Sequence, residues 1–121
     1  MGDVLVVCVG DDSVNLIRID ATGESRSAAH AVPIRKSIAN TVVALLAKCA
    51  GSQENFNSMN IVGIGVVISD SHQLGVESDL KSHIDKAYKA RVYTGVRRCQ
   101  SDQAPNIATL LAKQIRRSAK T

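Results

Sequence analysis

The sequence predicts one α/β domain of alternating strands and helices, and three observations predict it. Asn60 to Asp70 has at its centre, from Ile61 to Ile68, a run of Ile and Val broken only by Gly63 and Gly65, so both of its faces are apolar. That is the pattern of a central, parallel strand covered on both sides. Val4 to Val9 is uninterrupted apolar sequence and reads as a second strand buried on both faces. After Pro33, and again after Pro105, apolar residues recur at spacings of three and four, the period of an amphipathic helix. At 121 residues the chain is expected to form a single domain over 1–121. A chain of this size buries about two-thirds of the surface it would expose when unfolded.

Taken in order, Val4 to Val9 is followed by Gly10-Asp11-Asp12-Ser13, a tight-turn signal, and by a second strand over Val14 to Ile19. Asp20-Ala21-Thr22-Gly23 is another turn, and Glu24 to Val32 returns as a third strand, poor in β-branched residues. Such short turns make an antiparallel meander the economical topology. Pro33 suits the first turn of a helix carrying Ile34, Ile38, Val42, Leu45, Leu46 and Cys49 on one face, with Gly51 placed to close it. Ser52 to Ser58 is a polar loop into the central strand. Ser78 or Asp79 caps a second helix with Leu80, Ile84, Ala87 and Tyr88 on one face and an Asp85–Lys89 pair outside. Arg91 to Val96 alternates as a short strand, and Pro105 begins a final helix that turns Ile107, Leu110, Leu111 and Ile115 inward.

Gly63 and Gly65 share one face of the central strand, where they let a helix or a ligand approach the backbone. The strand ends in Ser69-Asp70-Ser71-His72, the end at which a parallel strand delivers functional groups. Cys8, Cys49 and Cys99 are odd in number and widely spaced, which indicates neither a disulfide framework nor a zinc site and favours a reducing, cytoplasmic home. Val4 to Val9 is too short to span a membrane and lacks the flanks of a signal peptide. No membrane partner is expected.

The net charge of +4 is sorted along the chain. Residues 1–80 carry five basic side chains against nine acidic ones, whereas residues 81–121 carry ten basic ones against Asp85 and Asp102 alone. That asymmetry points to an anionic partner, with a plainly solvated surface as the competing reading. On the last helix Lys113, Arg116, Arg117 and Lys120 recur at i, i+3, i+4 and i+7, a basic ridge roughly opposite Ile107, Leu111 and Ile115. Arg91, Arg97 and Arg98 flank it in sequence, and Tyr93 is a candidate stacking residue. Such a ridge neutralises phosphates with strong salt dependence and little sequence preference.

Three antiparallel strands followed by helix, strand, helix, strand, helix resembles the ribonuclease H-like fold, a three-layer α/β architecture with a mixed five-stranded sheet in the order βββαβαβα. Nucleases of that superfamily hold two divalent ions with carboxylates, for which Asp11, Asp12, Asp70 and Asp102 are the candidates here. The helix from Ile34 to Ala50 has no Asp or Glu where that branch supplies one. Val92 to Leu111 is similar to the last strand and helix of the resolvase-like members, yet Val96-Arg97-Arg98 stands where they carry an acidic pair. Asp11, Asp12 and Asp70 are therefore expected to be turn and cap residues, and no catalytic set is assigned. His30, His72 and His83 lack metal-ligand spacing, so no metal site is assigned; His72, beside Asp70, is the one histidine worth following as an acid-base group. Ser69 and Ser71 have no evident base in sequence.

Gly63-Ile64-Gly65 also resembles the G-I-G strand of the bacterial repressor and sugar-kinase branch of the actin-like ATPases, and Ala104-Pro105-Asn106-Ile107-Ala108 resembles the start of its following helix. This resemblance implies a nucleotide site at Gly10, Gly63 and Gly65 for ATP with Mg2+, completed by a dimer mate or partner subunit. Val9-Gly10-Asp11-Asp12-Ser13 departs from that family's phosphate loop, because two carboxylates beside a phosphate repel it unless a cation intervenes. Asp20-Ala21-Thr22-Gly23, Arg35-Lys36-Ser37 and Gly75-Val76-Glu77-Ser78 look like words of the eleventh protein of the small ribosomal subunit. The reading favoured here is a catalytically silent domain that binds RNA or another polyanion through its last helix, with no cofactor. The alternatives are the nucleotide-binding half and a self-associating structural protein.

Overall fold

In a computed structural model, the structure describes residues 3–35, 37–50, 61–72, 75–87, 93–100 and 103–120. The element order is β1 (Asp3–Val9), β2 (Ser13–Ile19), β3 (Ser25–Pro33), α1 (Ile38–Ala50), β4 (Ile61–Ser69), α2 (Val76–Ala87), β5 (Tyr93–Cys99) and α3 (Ala104–Lys120). The strands form one mixed sheet in the order β3-β2-β1-β4-β5. β1, β2 and β3 pair antiparallel, as their short turns require, whereas β4 lies parallel to both β1 and β5. The run built from Ile and Val on both faces is therefore the strand flanked by two parallel partners.

Alternation along β1 and β4 sends their side chains to two cores. Leu5, Val7, Val9, Ile64, Val66 and Ile68 meet Val42, Leu45 and Leu46 of α1 and Leu80 and Ile84 of α2. On the opposite face Val4, Val6, Ile19 and Val67 meet Ala108, Leu111, Ala112 and Ile115 of α3. The domain is thus three layers, with α1 and α2 on one side of the sheet and α3 on the other. Gly65 makes the third layer fit, because a Cβ at this position would lie 2.7 Å from Leu111 Cδ2.

Several boundaries differ from the expectations. Pro33 ends β3 rather than beginning a helix, pairing with Ser13 as the last residue of an edge strand, where its missing N–H costs nothing. The helix starts at Ile38 because Ser37 supplies a better cap: Asn40 N–H donates to Ser37 Oγ at 3.1 Å and Thr41 N–H to its carbonyl at 3.1 Å. α2 begins at Val76, ahead of Ser78 and Asp79, with Asp79 N–H donating to the carbonyl of Gly75 at 3.2 Å. That places Glu77 and Asp79 in the first turn, favourable for the helix dipole. β5, described over Tyr93–Cys99, ends three residues beyond the expected end at Val96, so Arg97 and Arg98 belong to it; Arg91 and Val92 lie outside the described residues. Leu110, expected to face inward, is 56% exposed. Gly51, the loop over 52–58, Tyr88 and Lys89 lie outside the described residues.

Candidate functional site

The C-terminal ends of β1 and β4 bring together residues far apart in sequence. β1 delivers the turn Gly10-Asp11-Asp12, closed by a Gly10 N–H to Ser13 carbonyl bond of 2.8 Å, and β4 delivers Ser69 and the turn after it. Ser69 Oγ and Ser71 Oγ each donate to Asp11 Oδ1 at 2.6 Å. The two hydroxyl oxygens are 3.2 Å apart, but each has one proton and both protons point at the carboxylate. Ser71 N–H reaches Ser69 Oγ at 3.4 Å. One acidic oxygen thus clamps the end of the central strand to the first turn.

His72 completes that clamp from the other side. Its Nε2 lies 2.6 Å from the carbonyl oxygen of Gly10, and since a carbonyl only accepts, Nε2 carries the proton. The imidazole is held against the backbone of the β1–β2 turn rather than against either serine. Arg98, at the end of β5, donates from Nη1 to the carbonyl of His72 at 2.6 Å and from Nε to Glu77 Oε1 of α2. These contacts lace β1, β4, β5 and α2 together at the C-terminal end of the parallel strands. With the serine protons directed at Asp11 and the histidine proton at Gly10, the cluster is arranged to hold these strand ends together.

Asp70 is exposed, and Asp12 is exposed with its backbone carbonyl accepting from Ile34 N–H at 2.9 Å. Among the described residues, no group of three or more His, Cys, Asp or Glu side chains is placed to hold a metal ion. Asp102 lies outside them. Of the glycines, Gly10 forms the turn that His72 caps, and Gly65 faces Leu111 and Ile115 under α3. Gly63 pairs with Tyr93 in the sheet.

The basic residues divide into two kinds. Lys113 and Arg117 are exposed on α3, one turn apart, on the side away from buried Ala108, Leu111, Ala112 and Ile115. Exposed Leu110 and Gln114 lie beside them. Arg116 is half-buried and donates from Nη2 to the carbonyl of Ile19 at 2.7 Å, tying α3 to the end of β2. Arg98 is engaged as described. The side chains of Arg97 and Lys120 and all of Arg91 are outside the described residues. The ties of Arg98 and Arg116 have no short-range sequence signal, since their partners are 21 to 97 positions away.

No family model matches the chain, and no curated protein sequence matches it. Among the described residues, no helix is long and apolar enough to cross a membrane.

Proposed function

We propose that this chain is a ribonuclease H-like domain that binds RNA or a chemically similar polyanion through the outward face of α3 and performs no reaction on it. The observation that carries the reading is the composition and setting of that helix. α3 contains Lys113, Arg116, Arg117 and Lys120 and no acidic residue, and its Ala108, Leu111, Ala112 and Ile115 are buried against the sheet. Exposed Lys113 and Arg117 therefore project from a rigid base, which lowers the entropy lost when they order on phosphates. Arg116 supports the ridge by anchoring the helix.

The element order of three strands, then helix, strand, helix, strand, helix supports the fold-level part of the reading. The catalytically silent part is supported by the clamp, in which Ser69 and Ser71 donate to Asp11 and His72 donates to Gly10. An anisotropy titration with a labelled, mixed-sequence single-stranded RNA tests the proposal. Binding that weakens steeply between low and moderate salt, with little dependence on RNA sequence, is expected. Salt-independent binding, or none at low salt, removes the reading.

A further inference from the structure

On the opposite side of the sheet from α3, a groove of about 430 Å³ opens between the end of β3 and α1. Val32, Pro33, Ala44 and Leu45 give it an apolar floor, and Asn40, Thr41, Arg35 and Lys48 line the rest. Among the described residues, its charged lining residues, Arg35 and Lys48, are both cations. The volume and the mixture of apolar floor with a few polar groups are those of a small-molecule site.

The two cations stand toward opposite ends of the groove, Arg35 before the first turn of α1 and Lys48 in its last turn. Thr41 Oγ1 accepts from Arg35 N–H at 3.1 Å and lies 3.1 Å from the Arg35 carbonyl and 2.9 Å from the Ser37 carbonyl. The backbone of Arg35, a lining residue of the groove, is therefore pinned to the first turn of α1, next to the positive end of that helix. α1 has no acidic residue in its first turn to offset this field. Asn40, Ala44 and Lys48 follow at i, i+4 and i+8 along the groove wall, so Lys48 stands about 10 Å from Thr41 by helical rise. At that end Lys48 also complements the negative end of α1.

We infer that this groove binds a small organic anion, its carboxylate or phosphate head at Arg35 and the N-terminus of α1, its apolar body lying over Val32, Ala44 and Leu45 toward Lys48. The site is separate from the α3 ridge, because α1 and α3 cover opposite faces of the sheet. It stands or falls independently of polyanion binding.

The test uses the full chain, isotopically labelled, with octanoate as the anionic probe and octanol as its uncharged counterpart, followed by backbone amide shifts. Octanoate is expected to shift the amides of Val32, Thr41, Ala44 and Leu45 saturably, with octanol at least about tenfold weaker, because a charge-assisted contact to Arg35 is lost. Arg35→Glu, which leaves the backbone bonds to Thr41 intact, and Ala44→Phe, which fills the groove from an exposed position, should each weaken octanoate about tenfold or more. Circular dichroism melts confirm that both variants are folded. The paired variant Lys113→Glu/Arg117→Glu should leave octanoate binding unchanged. Equal binding of octanol, undiminished shifts in folded Ala44→Phe, loss of binding in the α3 variant, or no binding by octanoate would each overturn the inference.

Discussion

Gly65 of the central strand lies directly beneath Leu111 of α3, so closely that a Cβ added to the glycine would sit 2.7 Å from Leu111 Cδ2 and 3.2 Å from Ile115 Cδ1. Glycine ordinarily weakens a strand interior, so alanine there would stabilise if space allowed. Here the close approach decides the sign. Gly65→Ala is expected to cost about 1 to 3 kcal/mol through overpacking, and Gly65→Val more, measured by urea unfolding. Pairing Gly65→Ala with Leu111→Ala should give a loss smaller than the sum of the two single losses, since the clash disappears.

The Asp11 carboxylate accepts from two hydroxyls, and Ser69, at 5% exposure, is too buried for water to replace it fully. Asp11→Ala is expected to lower stability by about 1 to 2 kcal/mol, because a buried hydroxyl loses its acceptor. A smaller loss is expected for Asp11→Asn, whose amide oxygen still accepts. Since the cluster is a clamp, RNA affinity at saturating folded fraction should be unchanged in both variants.

Neighbouring arginines on α3 should behave differently. Arg116 donates to the Ile19 carbonyl and is half-buried, whereas Arg117 is exposed. Arg116→Ala is expected to cost about 1 to 2 kcal/mol through the lost hydrogen bond and stem packing. Arg117→Ala should stay within about 0.5 kcal/mol of wild type. Thermal melts of the two variants side by side check the contrast.

Asp20 gives a defined pH response. The Thr22 hydroxyl donates to Asp20 Oδ1 at 2.6 Å, the Thr22 N–H at 2.9 Å and the Glu24 N–H at 3.1 Å. These bonds, the Thr22 hydroxyl foremost, hold the carboxyl below its ordinary value of 3.8. The unfolded chain then takes up this proton more readily than the folded one, so the contribution is complete above the ordinary value and fades as pH falls through the lower folded value. The stability gap between wild type and Asp20→Ala should be constant above about pH 5 and should narrow below about pH 4. A gap that widens in acid would contradict this.

Much of the fold was legible because its signals are local. Turn residues at Gly10 to Ser13 and Asp20 to Gly23 marked the meander, and Gly23, at φ 91°, occupies the conformation such a turn needs. The two-faced apolar run over Ile61–Ser69 marked the central strand. Pro33 misled because proline fits both a helix start and the end of an edge strand, and only Ser37 decides between them. The expected β5 stops short at Val96 because Arg97 and Arg98 look like loop or surface residues, whereas the ladder with β4 runs to Cys99. The site was less legible. Charge periodicity along α3 picked out Lys113 and Arg117 but grouped Arg116 with them, and proximity in sequence added Arg98; the partners of both arginines are set by tertiary packing. The Asp11–Ser69 bond joins two segments 58 residues apart, and nothing in either segment announces the other.

The salt dependence of RNA binding in Lys113→Glu/Arg117→Glu tests the central claim most directly. Both side chains are exposed, so the variant should fold as the wild type does. If the outward face of α3 meets phosphates, the slope of log affinity against log salt should become shallower by about 0.7 for each single-strand phosphate contact removed, with weaker binding at low salt. An unchanged slope and affinity in the folded variant would contradict the account.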